Sequence, residues 1–281
     1  MTMVLQSWIH DFGDFRMVLD KSDLDLSRQV KMLGKYSTES FEKTVLENYL
    51  KKDHTMLDVG ANIGFYSLLA RSKVGPEGKV FAFEASKENA DLIGMSIREN
   101  SFENITVVNV AVSNKIGIGF LYMSPYYNSE HSLFGYHYSS GKNNDQRIPI
   151  CLETIDNFLE NKIHDTNVDL IKMDIEGSES MALEGMTKTI SHNDEIALVT
   201  EFWPQGFKNS NSEPKEFLEN LDSLGFMINH IDEYKQKLYP VTIHEMLQIA
   251  EQRQTNPVEN TKEIQPGGWY TNLLCVKSKH N

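Results

Sequence analysis

The nine residues Met56-Leu57-Asp58-Val59-Gly60-Ala61-Asn62-Ile63-Gly64 constrain this chain more than any other segment. A short apolar run meets two glycines. Phe65, Leu68 and Leu69 then recur at i, i+3 and i+4, the spacing of one apolar helical face. Strand, tight turn and helix N-terminus together form a cradle in which backbone N–H groups meet the polar part of a nucleotide-like ligand. The segment therefore predicts an α/β sheet with its binding site at the end of this strand.

The glycine spacing narrows the ligand. A dinucleotide fingerprint needs G-x-G-x-x-G, whose second glycine lets the backbone approach a pyrophosphate. Here Asn62 stands at the second place and Phe65 at the third, which disfavours a nicotinamide-dependent oxidoreductase. Asp58 puts a carboxylate just before the turn, repelling phosphate and suiting a cationic ligand. An amino-acid-bearing nucleoside meets that description, and the cofactor expected is S-adenosylmethionine. Glu84, 26 residues after Asp58 at the end of the next strand, is placed to reach ribose hydroxyls.

Strand and helix signals alternate from residue 55 to about 230, as in a βαβ series over a parallel sheet. Strands are expected at 55–59, 79–84, 105–110, 168–173, 196–202, 226–231 and 273–277. Ser86 is placed to cap the helix carrying Ala90, Ile93 and Ile97. Pro214 opens another helix, with Phe217, Leu218 and Leu221 inward. Residues 1–50 read as a lead-in with a helix from Ser40 to Lys51. Residues 118–150 and 232–270 break the alternation, the latter holding a helix from Ile243 to Arg253. Insertions after strands are where substrate selection belongs, so both are expected to cap the substrate.

A net charge of −13, without any basic run, makes nucleic acid a poor partner. Ser124-Pro125-Tyr126-Tyr127 lacks the second proline of a base-methylating loop and precedes the fourth strand. No apolar stretch approaches the roughly 20 residues of a membrane span. No cationic start marks a secretory signal, and two distant cysteines, Cys151 and Cys275, give no disulfide framework. The expectation is a cytoplasmic chain with two buried thiols; nothing in it sets an oligomeric state.

A second cluster, Lys172-Met173-Asp174-Ile175-Glu176-Gly177-Ser178-Glu179, crowds three carboxylates at the end of the fourth strand. Carboxylates in a cleft can accept a proton, bind a cation or hold a polar substrate. Asp174, Glu176 and His131 are the candidate general bases; Asp174 has a second reading as a ligand of the cofactor's amino-acid end. Glu176 and Glu179 could instead only charge the first turn of the next helix. Asp174 and Glu201 end adjacent strands and would be the ligands if an Mg²⁺ were used; the metal-free reading is preferred. Tyr126, Tyr127, His131, Phe134, Tyr136 and His137 put aromatic faces among small polar residues, which suits a glycan or a polyketide-like ring.

Several of these strings resemble the FkbM-type S-adenosylmethionine-dependent methyltransferases. They are Asp58-Val-Gly-Ala-Asn-Ile-Gly64, Phe83-Glu84, Ala111-Val112-Ser113 and Lys172-Met-Asp-Ile-Glu-Gly177, with Ile148-Pro149-Ile150 leading in to the fourth strand. The resemblance spans roughly residues 34 to 202. It implies a Rossmann-like, seven-stranded, mostly parallel sheet with helices on both faces and the last strand antiparallel. The methyltransferase domain would then run over residues 51–281. It implies O-methylation of a hydroxyl on a sugar, glycan or natural-product-like small molecule. It also implies that Asp58, Gly60, Asn62 and Gly64 line the methionine end of the cofactor and that Glu84 holds its ribose, with Ala111 beside them. A protein that keeps this fold and only binds the cofactor is the alternative of a different class.

Overall fold

Strand β1 (Thr55–Val59) is buried at all five positions, which is why it reads as a continuous apolar run rather than an alternating one. In the computed structural model, which describes residues 7–23, 26–33, 40–125, 127–137, 142–143, 145–165, 167–255 and 268–278, β1 lies inside an eight-stranded sheet. The others are β2 (Lys79–Phe83), β3 (Ile105–Val108), β4 (Leu170–Met173), β5 (Ile196–Phe202), β6 (Met227–Asp232), β7 (Lys237–Pro240) and β8 (Thr271–Lys277). Their spatial order is β7-β6-β8-β5-β4-β1-β2-β3. Strands β3, β2, β1, β4 and β5 run parallel, and β8 lies antiparallel between β5 and β6. The order reverses between β1 and β4, so the ends of those strands open a crevice where ligands of such sheets bind.

Seven of these strands were expected; β7 is the addition. It pairs antiparallel with β6 at the sheet edge, with Lys237 and Leu238 exposed. A half-exposed four-residue edge strand ending in proline carries almost no periodic apolar signal, so it is invisible in the sequence.

Two apolar layers sandwich the sheet. Leu57, Phe81, Ile171 and Met173 pack with Phe158, Phe207 and Phe217 on one face. Met56, Val80, Leu170 and Val199 pack with Phe65, Leu68 and Ile93 on the other. The described residues among the first fifty are built into that second layer through Met17, Leu19, Val30, Val45 and Leu46. Besides the helix Ser40–Tyr49 they form a hairpin, Ser7–Asp11 with Arg16–Asp20, which lies along the helix Lys87–Asn100. The Val18 N–H donates to Ser96 Oγ at 2.9 Å, and Arg16 pairs with Glu99 at 2.7 Å.

The two insertions differ. Between 232 and 270, the helix Ile243–Thr255 buries Met246 and Ala250 in the core beside the helix Pro214–Ser223. The stretch Pro266-Gly267 lies outside the described residues. Between 111 and 153 the chain builds a small sheet from Ala111–Val112, Arg147–Glu153 and Gly117–Tyr122. Leu121 and Leu152 face inward, and Cys151 faces out. The expectation of two buried thiols therefore holds for Cys275 alone; Cys151 takes the solvent side of a two-faced strand, because residue 152 takes the inner one. No helix among the described residues is long and apolar enough to cross a membrane.

Candidate active site

The turn after β1 is held by close backbone contacts. The N–H groups of Gly60 and Ala61 both donate to the Phe83 carbonyl at 3.0 Å, and the Asp174 N–H donates to the Val59 carbonyl at 3.0 Å. Gly60 has φ of 83°, and a Cβ there would lie 1.9 Å from the Asp174 carbonyl oxygen, so only glycine lets β1 and β4 converge. Asn62 adopts φ of 50°, a left-handed conformation that asparagine tolerates better than most residues.

That conformation aims the Asn62 N–H at Glu84 Oε2, 2.8 Å away, while the Ser86 N–H donates to Glu84 Oε1 at 2.7 Å. Glu84 is thus locked between the β1 turn and the exit of β2. Burial pushes its carboxyl up to about 7 despite these donors. Ser86 caps the following helix as expected, accepting from the Asn89 N–H at 3.4 Å.

A cleft of about 560 Å³, counted out to open solvent, lies against this turn. Gly60, Asn62, Glu84, Ala111, His131, Asp174 and Glu176 line it, so the tertiary fold brings together seven of the candidate residues. Three do not line it. Asp58 is buried below, accepting from Ser67 Oγ at 2.6 Å, with Oδ1 unpartnered and its carboxyl raised by burial. Gly64 is a helix N-cap whose added Cβ would meet Ile93 Cγ1 at 2.9 Å, a packing role. Glu201 is buried at the end of β5.

At the other end of the cleft the carboxylates gather. Glu179 is fully buried; its Oε1 accepts the Ile175 N–H at 2.9 Å and its Oε2 has no partner. Burial pushes it up to about 7. Glu201 Oε2 is also unpartnered, and burial plus the charges of Asp174, Glu176 and Glu179 hold it well above the usual carboxylate range. Among the described residues no three His, Cys, Asp or Glu side chains are arranged to hold a metal ion.

One cation lies inside this cluster. Lys172, 3% exposed, sits opposite Asp58 in the sheet register. Its Nζ reaches Asp174 Oδ2 at 3.2 Å and lies 4.8 Å from the centre of the Tyr66 ring. Its charge opposes the rise at both Asp58 and Glu201. Tyr66 in turn donates to the buried Glu42 at 2.8 Å, which ties the N-terminal helix to the floor of the site. The role of Lys172 was missed from sequence, although a lysine inside an apolar strand is itself a signal.

His131 stands on the cleft wall with Nδ1 accepting the Ser124 N–H at 3.1 Å. In the neutral ring Nε2 then carries the proton, so His131 faces its other neighbours as a donor. Asn89 and Asn128, also unforeseen, line the cleft beside it. Of the aromatic segment, Tyr126 and Tyr138 lie outside the described residues, and Tyr127 is exposed.

These raised carboxyls fix the sign of the pH dependence. Glu84 and Glu179 favour the protonated form when folded, so their contribution is full below the unfolded value of 4.5 and is lost as pH rises through about 7. The buried His230, lowered from 6.5 to about 4, acts oppositely and only below 6.5. Lowering the pH from about 8 to about 6.5 should therefore stabilise the ligand-free protein, by on the order of 2 kcal/mol. Calorimetric melting temperatures that fell over this interval would contradict the assignment.

The sequence profile of the methyltransferase FkbM domain matches residues 58–234. No curated protein matches the chain. Among solved structures, a precorrin-6y C5,15-methyltransferase from Geobacter metallireducens is 13% identical, covers 84% of this chain and 87% of its own, and has a TM-score of 0.42. An Aquifex aeolicus SAM-dependent methyltransferase is 16% identical over 89% of this chain and 97% of its own, at 0.42. A SAM-dependent O-methyltransferase from Thermotoga maritima is 15% identical over 95% and 75%, at 0.41. With the profile spanning the glycine turn, Glu84 and the Asp174 cluster, the chain belongs to the FkbM methyltransferase family and is an S-adenosylmethionine-dependent methyltransferase.

Proposed function

We propose that the cleft binds S-adenosylmethionine along Gly60, Asn62, Glu84 and Ala111, and that the enzyme methylates a hydroxyl of a sugar, glycan or natural-product-like small molecule. The observation that carries the cofactor half is the Glu84 carboxylate, fixed by the Asn62 and Ser86 N–H groups on the cleft wall. Each carboxylate oxygen has capacity for a second donor, which suits the two hydroxyls of a ribose. Gly60 keeps the turn tight against the end of β4, where a Cβ would meet the Asp174 carbonyl. The residues fit the cofactor.

When bound, the cofactor supplies a methyl group already activated on a sulfonium. What the protein must add is position and a proton acceptor. Asp174 lines the cleft and is one-third exposed, with Lys172 anchoring its Oδ2. Its other oxygen is free to take a proton from an acceptor hydroxyl, and Glu176 stands beside it as the next candidate. His131, holding its proton on Nε2, serves better to orient the acceptor than to deprotonate it. The acidic surface favours a neutral or cationic small acceptor over nucleic acid. In this reading no step is routed through a cation, and Glu201 is a buried carboxyl behind the site whose pKa burial and its acidic neighbours raise.

Calorimetry with S-adenosylhomocysteine, the demethylated product, tests the cofactor half; NAD should give no heat. Glu84→Ala removes charge-assisted hydrogen bonds and should weaken binding about 10- to 100-fold. Unchanged affinity in a folded variant would remove Glu84 from the site. Transfer of a labelled methyl group into fractionated cell extract, with mass spectrometry of the product, identifies the acceptor.

A further inference from the structure

The donors that hold Glu84 all converge on one residue, Asn89. The Asn62 and Ser86 N–H groups supply two of them, at 2.8 and 2.7 Å. The Asn89 amide supplies a third. Asn89 also reaches back to both of the others. Its Nδ2 donates to Asn62 Oδ1 at 3.4 Å, and its backbone N–H donates to Ser86 Oγ at 3.4 Å.

The amide itself is fixed. Asn89 is buried in the first turn of the helix Lys87–Asn100. On its other end Asn128 Nδ2 donates to Asn89 Oδ1 at 3.3 Å, which leaves the Asn89 nitrogen to face Asn62 and Glu84. With almost no accessible surface, Asn89 acts on a ligand through Glu84 rather than by contact.

The carboxyl needs this support. Two ribose hydroxyls are best held by the ionised form, which accepts on both oxygens. Burial opposes that form and keeps Glu84 at about 7 even with its donors in place. Asp58 on β1 raises it further. Glu88 follows Ser86 on the helix, and His131, Asp174 and Glu176 face the same cleft from the insertion and from β4. Among the described residues no lysine or arginine lines the cleft, so neutral N–H donors carry the task.

We infer that Asn89 is a positioning residue for cofactor binding, whose amide holds the Glu84 carboxylate and its two backbone donors in the ionised, ribose-accepting arrangement. The inference rests on reading the cleft as the S-adenosylmethionine site.

The test is calorimetric, is resolved by pH and needs no methyl acceptor. Asn89→Leu keeps the side-chain size and the backbone N–H but removes the amide donor. Losing one donor should move the ionisation of Glu84 up by roughly one pH unit. Binding of S-adenosylhomocysteine should then weaken about 8-fold at pH about 6.5 and less than about 2-fold at pH about 8.5. Groups that titrate alike in both proteins cancel in this ratio. Should the variant not fold, Asn89→Ala is measured in its place. In a Glu84→Gln background, where residue 84 no longer titrates, the same substitution should have an effect that does not vary with pH. A penalty of equal size at both pH values in the Glu84 protein would reduce Asn89 to a structural residue and overturn the inference. Unchanged affinity at pH about 6.5 would overturn it as well. Wild-type protein that takes up no S-adenosylhomocysteine at either pH would instead refute the reading of the cleft, and the inference with it.

Discussion

Asp174→Asn should lower methyl transfer by about 10²–10⁴-fold, the range for loss of a general base, while leaving S-adenosylhomocysteine affinity nearly unchanged. The substitution keeps the shape of the side chain and the Asp174 N–H bond to Val59. What it removes is the oxygen that can hold a proton. Two other roles would give different results. As a ligand of the cofactor's ammonium, Asp174 would lose affinity in proportion to rate. As a cation ligand with Glu201, it would make the wild-type enzyme one that EDTA stops and Mg²⁺ restores. Rate and affinity measured on the variant, with chelator response measured on the wild type, separate the three. Full activity would exclude Asp174 from the chemistry and turn attention to Glu176.

The second large effect concerns stability. Lys172→Met should cost about 3–5 kcal/mol, as expected when one partner of a buried charge cluster is removed. Methionine fills most of the lysine volume, so the loss is electrostatic rather than a cavity effect. The ammonium contacts Asp174 and offsets the buried Asp58 and Glu201. Without it those carboxyls rise further, so their contribution to stability is lost progressively as pH increases. Denaturant unfolding should accordingly show a larger deficit at pH about 8 than at pH about 5. A small deficit that does not vary with pH would mean the lysine is a packing residue only. A large but pH-independent one would point to lost contacts with Tyr66 instead.

Asn62 illustrates why the turn after β1 could be read without a structure. The reading needed only a missing glycine, an acidic residue before the turn and another 26 positions on, all within two strand–helix units. Local rules govern that stretch, since glycine conformation, helix capping and strand periodicity act over a few residues. The same holds for β1, β2, β4 and β5, whose apolar runs are buried on both faces, and for the helix starts at Ser86 and Pro214. Gly64 and Asp58 mark the limit of such reading. Both belong to the motif, yet one packs against Ile93 and the other lies beneath the cleft, bonded to Ser67.

What only the tertiary structure decided depends on residues far apart in the chain. Lys172 matters because the register of β1 and β4 sets it opposite Asp58, 114 positions away in numbering, and because Tyr66 lies under its ammonium. Asn128 meets Asn89 across 39 residues through a turn pinned on Ser132 and Glu176. The N-terminal hairpin joins the core because Val18 and Ser96 meet on one helix face. The two insertions separate into one that packs on the core and one that walls the cleft. Hydrophobic periodicity reports which face of an element is buried. It carries no information on which partner covers that face, and the polar contacts of a site are made between partners.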